Sequence, residues 1–422
     1  MGSKFLIRHG MDPQQVDVLA MSKRFQSEMA AGLKGAPSSI LMLPTFLSEN
    51  GSLPMGVPVA VIDAGGTNAR VARVTFTPQG PQVEHLKVFP IPGSRGEVSC
   101  EEFLDAFVLR LVPFLSSCAA LGFCFSFPAR ITPERDGEVL YFDKVVKVAS
   151  SQGLRLIRGL NDSLHRLGGD PIRGVVLNDT VAALLGGITQ VERDRFDGFL
   201  GLIYGTGINT CYSEAVQNIS ALSDGAQGSM LINTESGSFT LVKPGDFDRQ
   251  VDEQSKNPGR HLYEKMVSGA YLGEVLRHTL RGAVEENLLP RRFASLSCLA
   301  THEMDAFLTD PTGDNPLAVL CRTQEERSVV VEFADALFRR AARLVSANLI
   351  AILVHSGLGT HPDRPAGIVA EGSTLYKSKL LFPYLEETMA AYAGEALGLS
   401  YRFLRPENAN LLGTAAAALL NM

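Results

Sequence analysis

The sequence predicts two α/β lobes facing each other across a cleft. Three observations lead there. The chain has 422 residues, more than one hydrophobic core usually organises. Short apolar strands alternate with amphipathic helices along it. And a glycine-tipped turn at Asp63-Ala64-Gly65-Gly66-Thr67-Asn68 has an echo at Tyr204-Gly205-Thr206-Gly207-Ile208-Asn209, as two similarly built lobes would produce.

Composition narrows the class. Hydrophobic residues make up 45% and charged residues 20%, and the formal net charge is −6. Such a chain has no general attraction for nucleic acid or anionic lipid. It contains no run of about eighteen apolar residues. Met1 to Arg8 lacks the apolar centre and cleavage site of a secretory signal. The expectations are no nucleic-acid partner, no membrane and a cytoplasmic location. Cys100, Cys118, Cys124, Cys211, Cys298 and Cys321 form no C-x-x-C pair and read as small buried hydrophobes in a reducing compartment. The eight histidines show no ligand spacing, so no structural metal is expected.

Taken in order, Asp12–Leu33 carries apolar residues at helical spacing, and 36–58, rich in Pro, Ser and Gly, reads as a connector. Val59–Ile62 is a strand ending at Asp63. After the glycine turn, Ala72, Val74 and Phe76 alternate with Arg73, Thr75 and Thr77 as a second strand. A dinucleotide fold or a Walker loop would run from strand through glycines into a helix; here the glycines join two strands, so the loop is a hairpin tip. Phe199–Ile203 and Ile208–Tyr212 flank the second such tip. Leu121–Phe125 reads as a strand, and Gly174–Leu177 as a strand feeding a helix from Thr180. His261–Arg281 and Glu332–Val354 read as long helices, Ala366–Ala370 as a strand before the turn Glu371-Gly372-Ser373, and Thr414–Asn421 as a closing helix.

Two glycine-tipped hairpins across a cleft would offer backbone N–H groups, with Thr67 and Thr206 hydroxyls, to phosphate oxygens. Either turn alone reads better as an ordinary tight hairpin; the pair, each with an Asn two residues after its last turn glycine, points to phosphate binding. Asp63 ends a buried strand, where a carboxylate suits Mg²⁺ or its waters; it could also simply cap the turn. Asp179 lies where a strand meets a helix, the edge at which open α/β lobes bind ligands. It could cap that helix, whose dipole would keep it ionised as a proton acceptor must be.

These segments together resemble the hexokinase family from about Phe25 to Gly413. Ile40-Leu41-Met42-Leu43-Pro44-Thr45, Asp63 to Arg70, Phe125-Ser126-Phe127-Pro128, Leu177-Asn178-Asp179-Thr180, Gly205 to Tyr212 and Ile232-Asn233-Thr234-Glu235 are similar to its motifs. So are Phe247-Asp248-Arg249, Ser255-Lys256-Asn257-Pro258-Gly259, Tyr263 to Gly269 and Tyr271-Leu272-Gly273-Glu274. The resemblance implies a two-lobed actin-like (ribonuclease H-like) ATPase fold with a central cleft. Residues 57–177 with 414–422 would form the small lobe, and 1–56 with 178–413 the large one. It implies transfer of the γ-phosphoryl of ATP to the primary hydroxyl of a hexose, glucose foremost, at the start of glycolysis, by a monomer or homodimer.

In that reading Asp179 takes the hydroxyl proton, assisted by Lys144. Ser126, Phe127, Asp143, Lys144, Asn178, Asn209, Glu235 and Glu264 surround the sugar. Asp63, Gly65, Gly66, Thr67, Asn68, Arg70, Gly205, Thr206, Gly372, Ser373 and Gly413 serve the nucleotide, with Mg²⁺ of Mg·ATP held at Asp63 through water. The sequence departs from the family in four places. Phe142-Asp143-Lys144 replaces W-T-K, and Glu371-Gly372-Ser373 replaces D-G-S or D-G-T, with Thr374 inserted after it. Asn410-Leu411-Leu412-Gly413 replaces S-G-x-G, and Ser236 stands for a tryptophan. A sugar-binding regulator without turnover, or a sugar-independent ATPase of the same lobe plan, are the alternatives; F-S-F-P and E-K-M argue against the second.

Overall fold

The computed structural model describes residues 2–66, 68–142, 146–222 and 227–421. Two mixed sheets dominate it. The first runs Gly80–Pro90, Asn68–Thr77, Pro58–Ala64, Ala120–Phe125, Gly174–Leu177, antiparallel among the first three strands and parallel thereafter. The second runs Leu43–Pro44, Ser229–Asn233, Ile208–Ala215, Gly198–Tyr204, Ala366–Glu371, Tyr401–Leu404, antiparallel as far as Gly198–Tyr204 and parallel beyond. In chain order each lobe thus spells the same unit: hairpin, third antiparallel strand, two parallel strands reached by crossovers, then a helix. The echo of two glycine turns marks a repeat of the whole sheet.

The two helices that close these units, Asp179–Ile188 and Ala409–Leu420, pack on each other between the sheets. Their backbones meet at two glycines. A Cβ on Gly186 would lie 2.1 Å from the Ala409 carbonyl oxygen, and one on Gly413 1.7 Å from that of Ala182. Gly413, expected on the nucleotide side, is a packing residue inside a helix. Because this helix begins at Ala409, a lobe boundary at 413/414 would cut through it.

The larger lobe is built around helix Gln324–Ser356, most of it buried and opened by a reciprocal Thr323–Glu326 cap. Arg340, in its middle, is fully buried and paired with Asp248 (Nη1 to Oδ2, 2.7 Å). The smaller lobe has a phenylalanine-rich core made by Phe103, Phe107, Phe123, Phe125 and Phe127.

Three helices differ from expectation. The first long helix starts at Val18, not Asp12, because Asp17 is extended and caps it by accepting from Ala20 N; Asp12 and Pro13 form a separate 3₁₀ turn. An additional short helix, Gly2–Arg8, precedes it. The expected helix His261–Arg281 is two, Leu262–Val267 and Leu272–Glu285. The break serves the second hairpin: Gly269 N donates to Gly205 O and Ala270 N to Thr206 O. Of the six cysteines, which are all free, only Cys124, Cys211 and Cys321 are buried; Cys298 is exposed.

Candidate active site

The carboxyl ends of the central strands of both sheets meet at the cleft. From the first sheet come Asp63, Ser126 and Asn178-Asp179; from the second, the turns at Gly205 and Gly372.

Asp179 is the first residue of its helix, and Asn178 is the cap, its Oδ1 accepting from Thr180 N at 2.9 Å. The cap expected of Asp179 thus falls to its neighbour, which frees the Asp179 carboxylate to face the cleft. Burial raises its pKa to about 6, and the charge of Asp63 adds to that. The Ser126 hydroxyl and the backbone and hydroxyl of Thr180 oppose it. A base so poised is protonated at lower pH than the site works at. Turnover is therefore expected to fall as pH drops through about 6. An acid limb near the ordinary aspartate value of about 3.9 in a kcat–pH profile would remove Asp179 from that role.

Glu235 and Glu264 complete a group of three carboxylates. Glu235 sits in the left-handed region (φ 56°), and its pKa is pushed to about 7 by burial, with the charges of Asp179 and Glu264 behind it and the Asn233 amide opposing. Glu264 is raised by burial and restrained by Ile208 N, which donates to its Oε2 at 3.1 Å. Gly207 makes room for this contact, since a Cβ there would lie 2.6 Å from Glu264 Oε2.

Behind the carboxylates runs an amide relay. Asn209 Nδ2 donates to Asn233 Oδ1 (2.7 Å), and Asn233 Nδ2 to Glu235 Oε1 (2.8 Å). Asn209 Oδ1 accepts from Thr210 N and Ser236 N. Asn209, expected to touch the sugar, is fixed by these bonds and keeps a second Nδ2 hydrogen for a ligand. Asn233, quoted in the I-N-x-E motif but not singled out, is the residue that aims Glu235. Truncating it to alanine leaves both neighbours unpaired. Sugar affinity measured by calorimetry is expected to drop by about 1–3 kcal/mol, roughly 5–150-fold; unchanged affinity would discard the relay.

The phosphate side differs in detail from expectation. None of Gly65, Gly66, Gly205 and Gly207 has a left-handed φ. In each hairpin the first glycine closes the turn: Gly65 N donates to Asn68 O (3.1 Å) and Gly205 N to Gly207 O (3.0 Å). Among the described turn residues, the N–H groups left without a backbone partner are those of Gly66, Thr206 and Gly207. Beside Gly66 nothing lies within 4 Å of a built Cβ, so a ligand can reach its backbone. Asn68 begins the returning strand and is exposed.

Asp63 is 4% exposed; Arg70, opposite it in the hairpin, donates Nε to Oδ2 at 2.8 Å and Nη2 to the same oxygen. Arg70 is thus first the partner of Asp63, with Nη1 left over for a phosphate. Asp63 Oδ1 is buried and, the Cys124 thiol aside, unpartnered. An orphaned carboxylate oxygen beside a phosphate turn fits a water of a hydrated Mg²⁺. Thr67, Asp143 and Lys144 lie outside the described residues.

Gly372 (φ 131°) lets the adenosine-side turn press on the second hairpin; a Cβ there would lie 2.2 Å from Tyr204 O. Ser373 opens the short helix Ser373–Lys377. Thr374, an insertion by the sequence comparison, donates its hydroxyl to Gly205 O at 2.7 Å and fills the space a side chain on Gly269 would need. A cavity of about 490 Å³ opens here between Thr206, Gly269, Thr301, Asp305 and Ser373. Phe127 is buried against Phe125 and Phe142 and forms part of the floor of the sugar side. Tyr141, half exposed next to Phe142, is close enough to Glu235, Glu264 and Arg260 to feel their charges. No motif marked it.

Family models described as hexokinase match residues 6–188 and 199–420. The chain belongs to the hexokinase family. With that family it is an ATP-dependent sugar kinase. Hexokinase-1 of Nicotiana tabacum is 30% identical, over 93% of this chain and 86% of its own length. Hexokinase-7 of Oryza sativa subsp. japonica is 29% identical over 93% of this chain and 90% of its own. Human Hexokinase-3 is 30% identical over 94% of this chain, which spans 44% of that protein. Among solved structures, hexokinase from Schistosoma mansoni complexed with glucose superimposes with a TM-score of 0.77 at 25% identity, covering 100% of this chain and 98% of that one. A ROK-family glucokinase from Streptomyces griseus shares the fold at a TM-score of 0.53 and 16% identity, covering 86% and 99%. The hexokinase fold therefore survives the altered Glu371–Thr374 and Asn410–Gly413 segments; the first is re-anchored through Thr374 and the second lies in a helix.

Proposed function

We propose that this chain phosphorylates the primary hydroxyl of a free hexose, glucose foremost, using Mg·ATP, and that it does so in the cytoplasm as the first step of glycolysis. The observation that carries the reading is the placement of Asp179. A carboxylate with a pKa of about 6 stands among hydroxyl-pairing groups, beside the phosphate turns. Asn178, Glu235 and Glu264 pair the hydroxyls that are not phosphorylated, and a sugar lacking one would leave a buried partner unpaired. Asp179 takes the proton of the primary hydroxyl as its oxygen attacks the γ-phosphorus, and ADP leaves in line. Gly66, Thr206 and Arg70 Nη1 donate to phosphate oxygens. Mg²⁺, when bound with ATP, neutralises charge on the β- and γ-phosphates, and Asp63 would hold its water shell. The glucose complex of the Schistosoma relative supports glucose as the acceptor. The lobe division stated above is proposed with the last helix kept whole from Ala409.

The test is ADP release with Mg·ATP across glucose, mannose, fructose and a no-sugar blank. Sugar-dependent release, greatest with glucose, is expected. A flat signal with every sugar would overturn the reading in favour of a sugar-binding regulator. Release equal to the blank's own high rate would favour a sugar-independent ATPase.

A further inference from the structure

A cavity of about 760 Å³ lies outside the cleft. It lies at the opposite end of the strand Gly174–Leu177 whose carboxyl end carries Asn178 and Asp179. Its walls bring together Arg135, Arg155, Arg158 and Arg173 with Glu134, Asp136 and Asp162, and reach Asn421. These come from a smaller-lobe hairpin, the helix Leu156–Arg166, the strand edge and the end of the interlobe helix.

The charges here do not cancel. Arg155 is matched by Asp136 at 3.2 Å and Glu134 at 3.6 Å. Arg135 has no side-chain carboxylate within 4 Å among the described residues. Its guanidinium is held by two neutral carbonyls, Phe46 O (2.9 Å) and Asn421 O (2.7 Å), and its own backbone is left-handed (φ 63°) to reach them. Arg158 and Arg173 are exposed and pair with no carboxylate among the described residues. Counted over the whole described lining, Arg135, Arg155, Arg158 and Arg173 face Glu134, Asp136 and Asp162, so the cavity keeps an excess of one positive charge in a chain whose formal net charge is −6. A partly buried guanidinium that carries only neutral partners is incompletely compensated. Arginine forks are shaped for phosphate oxygens.

We propose that this cavity is a second ligand site, outside the catalytic cleft, for a phosphate dianion, free or as the head of a phosphate monoester, gripped by Arg135, Arg158 and Arg173. Such a ligand would sit on the ties that join the connector at Phe46, the smaller lobe and the end of the interlobe helix, so its binding is linked to how those three parts are held.

The test is calorimetric titration of inorganic phosphate, and separately of glycerol 3-phosphate, into the whole protein with glucose and a non-hydrolysable ATP analogue filling the cleft. The Arg158→Gln/Arg173→Gln double variant alters only exposed side chains, and its circular dichroism and melting point report that it folds. One site per chain is expected, with affinity at least tenfold weaker in that variant. A control pair, Arg195→Gln/Arg364→Gln, removes the same charge from the surface of the other lobe and is expected to bind as the wild type does. Binding of the monoester at least as tight as that of phosphate assigns the site to an ester; binding of phosphate alone assigns it to the free ion. No heat in the wild type, equal affinity in the double variant, or equal loss in the control pair would overturn the proposal.

Discussion

Asp179→Asn is expected to slow turnover by roughly 10²–10⁴-fold, the usual size of a general-base contribution, while sugar affinity stays within a few-fold. The amide keeps the shape and the contact with Ser126 but cannot take a proton. A second effect separates this from mere distortion. The charge of Asp179 is one cause of the raised Glu235 pKa, after burial. Removing it should let Glu235 ionise at lower pH, so the pH at which sugar binding changes should move down in the variant. Steady-state kinetics and binding calorimetry across pH 5–8 read both. Near-normal turnover would show that another group takes the proton, and an unmoved binding profile would show that the two carboxylates do not sense each other.

The largest stability effect is expected at Arg340→Leu. Arg340 and Asp248 are both essentially unexposed and share two hydrogen bonds. They tie the central helix Gln324–Ser356 to the start of the helix Asp246–Gln254, where Asp248 also accepts from Gly245 N at 2.7 Å. Removing the cation strands a buried carboxylate, at a cost of about 3–5 kcal/mol. The double variant Arg340→Leu/Asp248→Asn should lose less than the two single variants summed, because no charge remains uncompensated. Denaturant midpoints of the four proteins measure this. A single-variant loss under about 1 kcal/mol would mean that water or a neighbour compensates Asp248.

Much of this site was legible because chemistry in it is local. Asp63 and Asp179 sit at strand ends that periodicity placed correctly, whereas Glu235 and Glu264 were legible only through the family resemblance of their motifs. What escaped the sequence depends on who lies opposite in space. The cap of Asn178 took over the role assigned to Asp179 because cap geometry turns on one φ/ψ pair, not on residue type alone: both residues are good caps. Nothing in sequence shows that Asn233, twenty-four residues after Asn209, pairs with it across adjoining strands and orients it. The expected helix from His261 is periodic throughout, and only the demand of the Gly205 and Thr206 carbonyls for donors explains why it stops at Ser268. That Gly66, Thr206 and Gly207 keep free N–H groups follows from the turn bonds of Gly65 and Gly205, which residue type alone does not show.

Gly413 carries the broadest lesson. With Gly186 it lets two helices touch backbone to backbone, and neither position has space for a methyl group. A saturation scan of this enzyme would therefore show two spots intolerant of every replacement, facing each other at a single helix crossing. A mutational map sorted by severity alone would file both with Asp179. Sorting by recovery at low temperature would separate them, since a crowded crossing is a folding defect and a missing base is not.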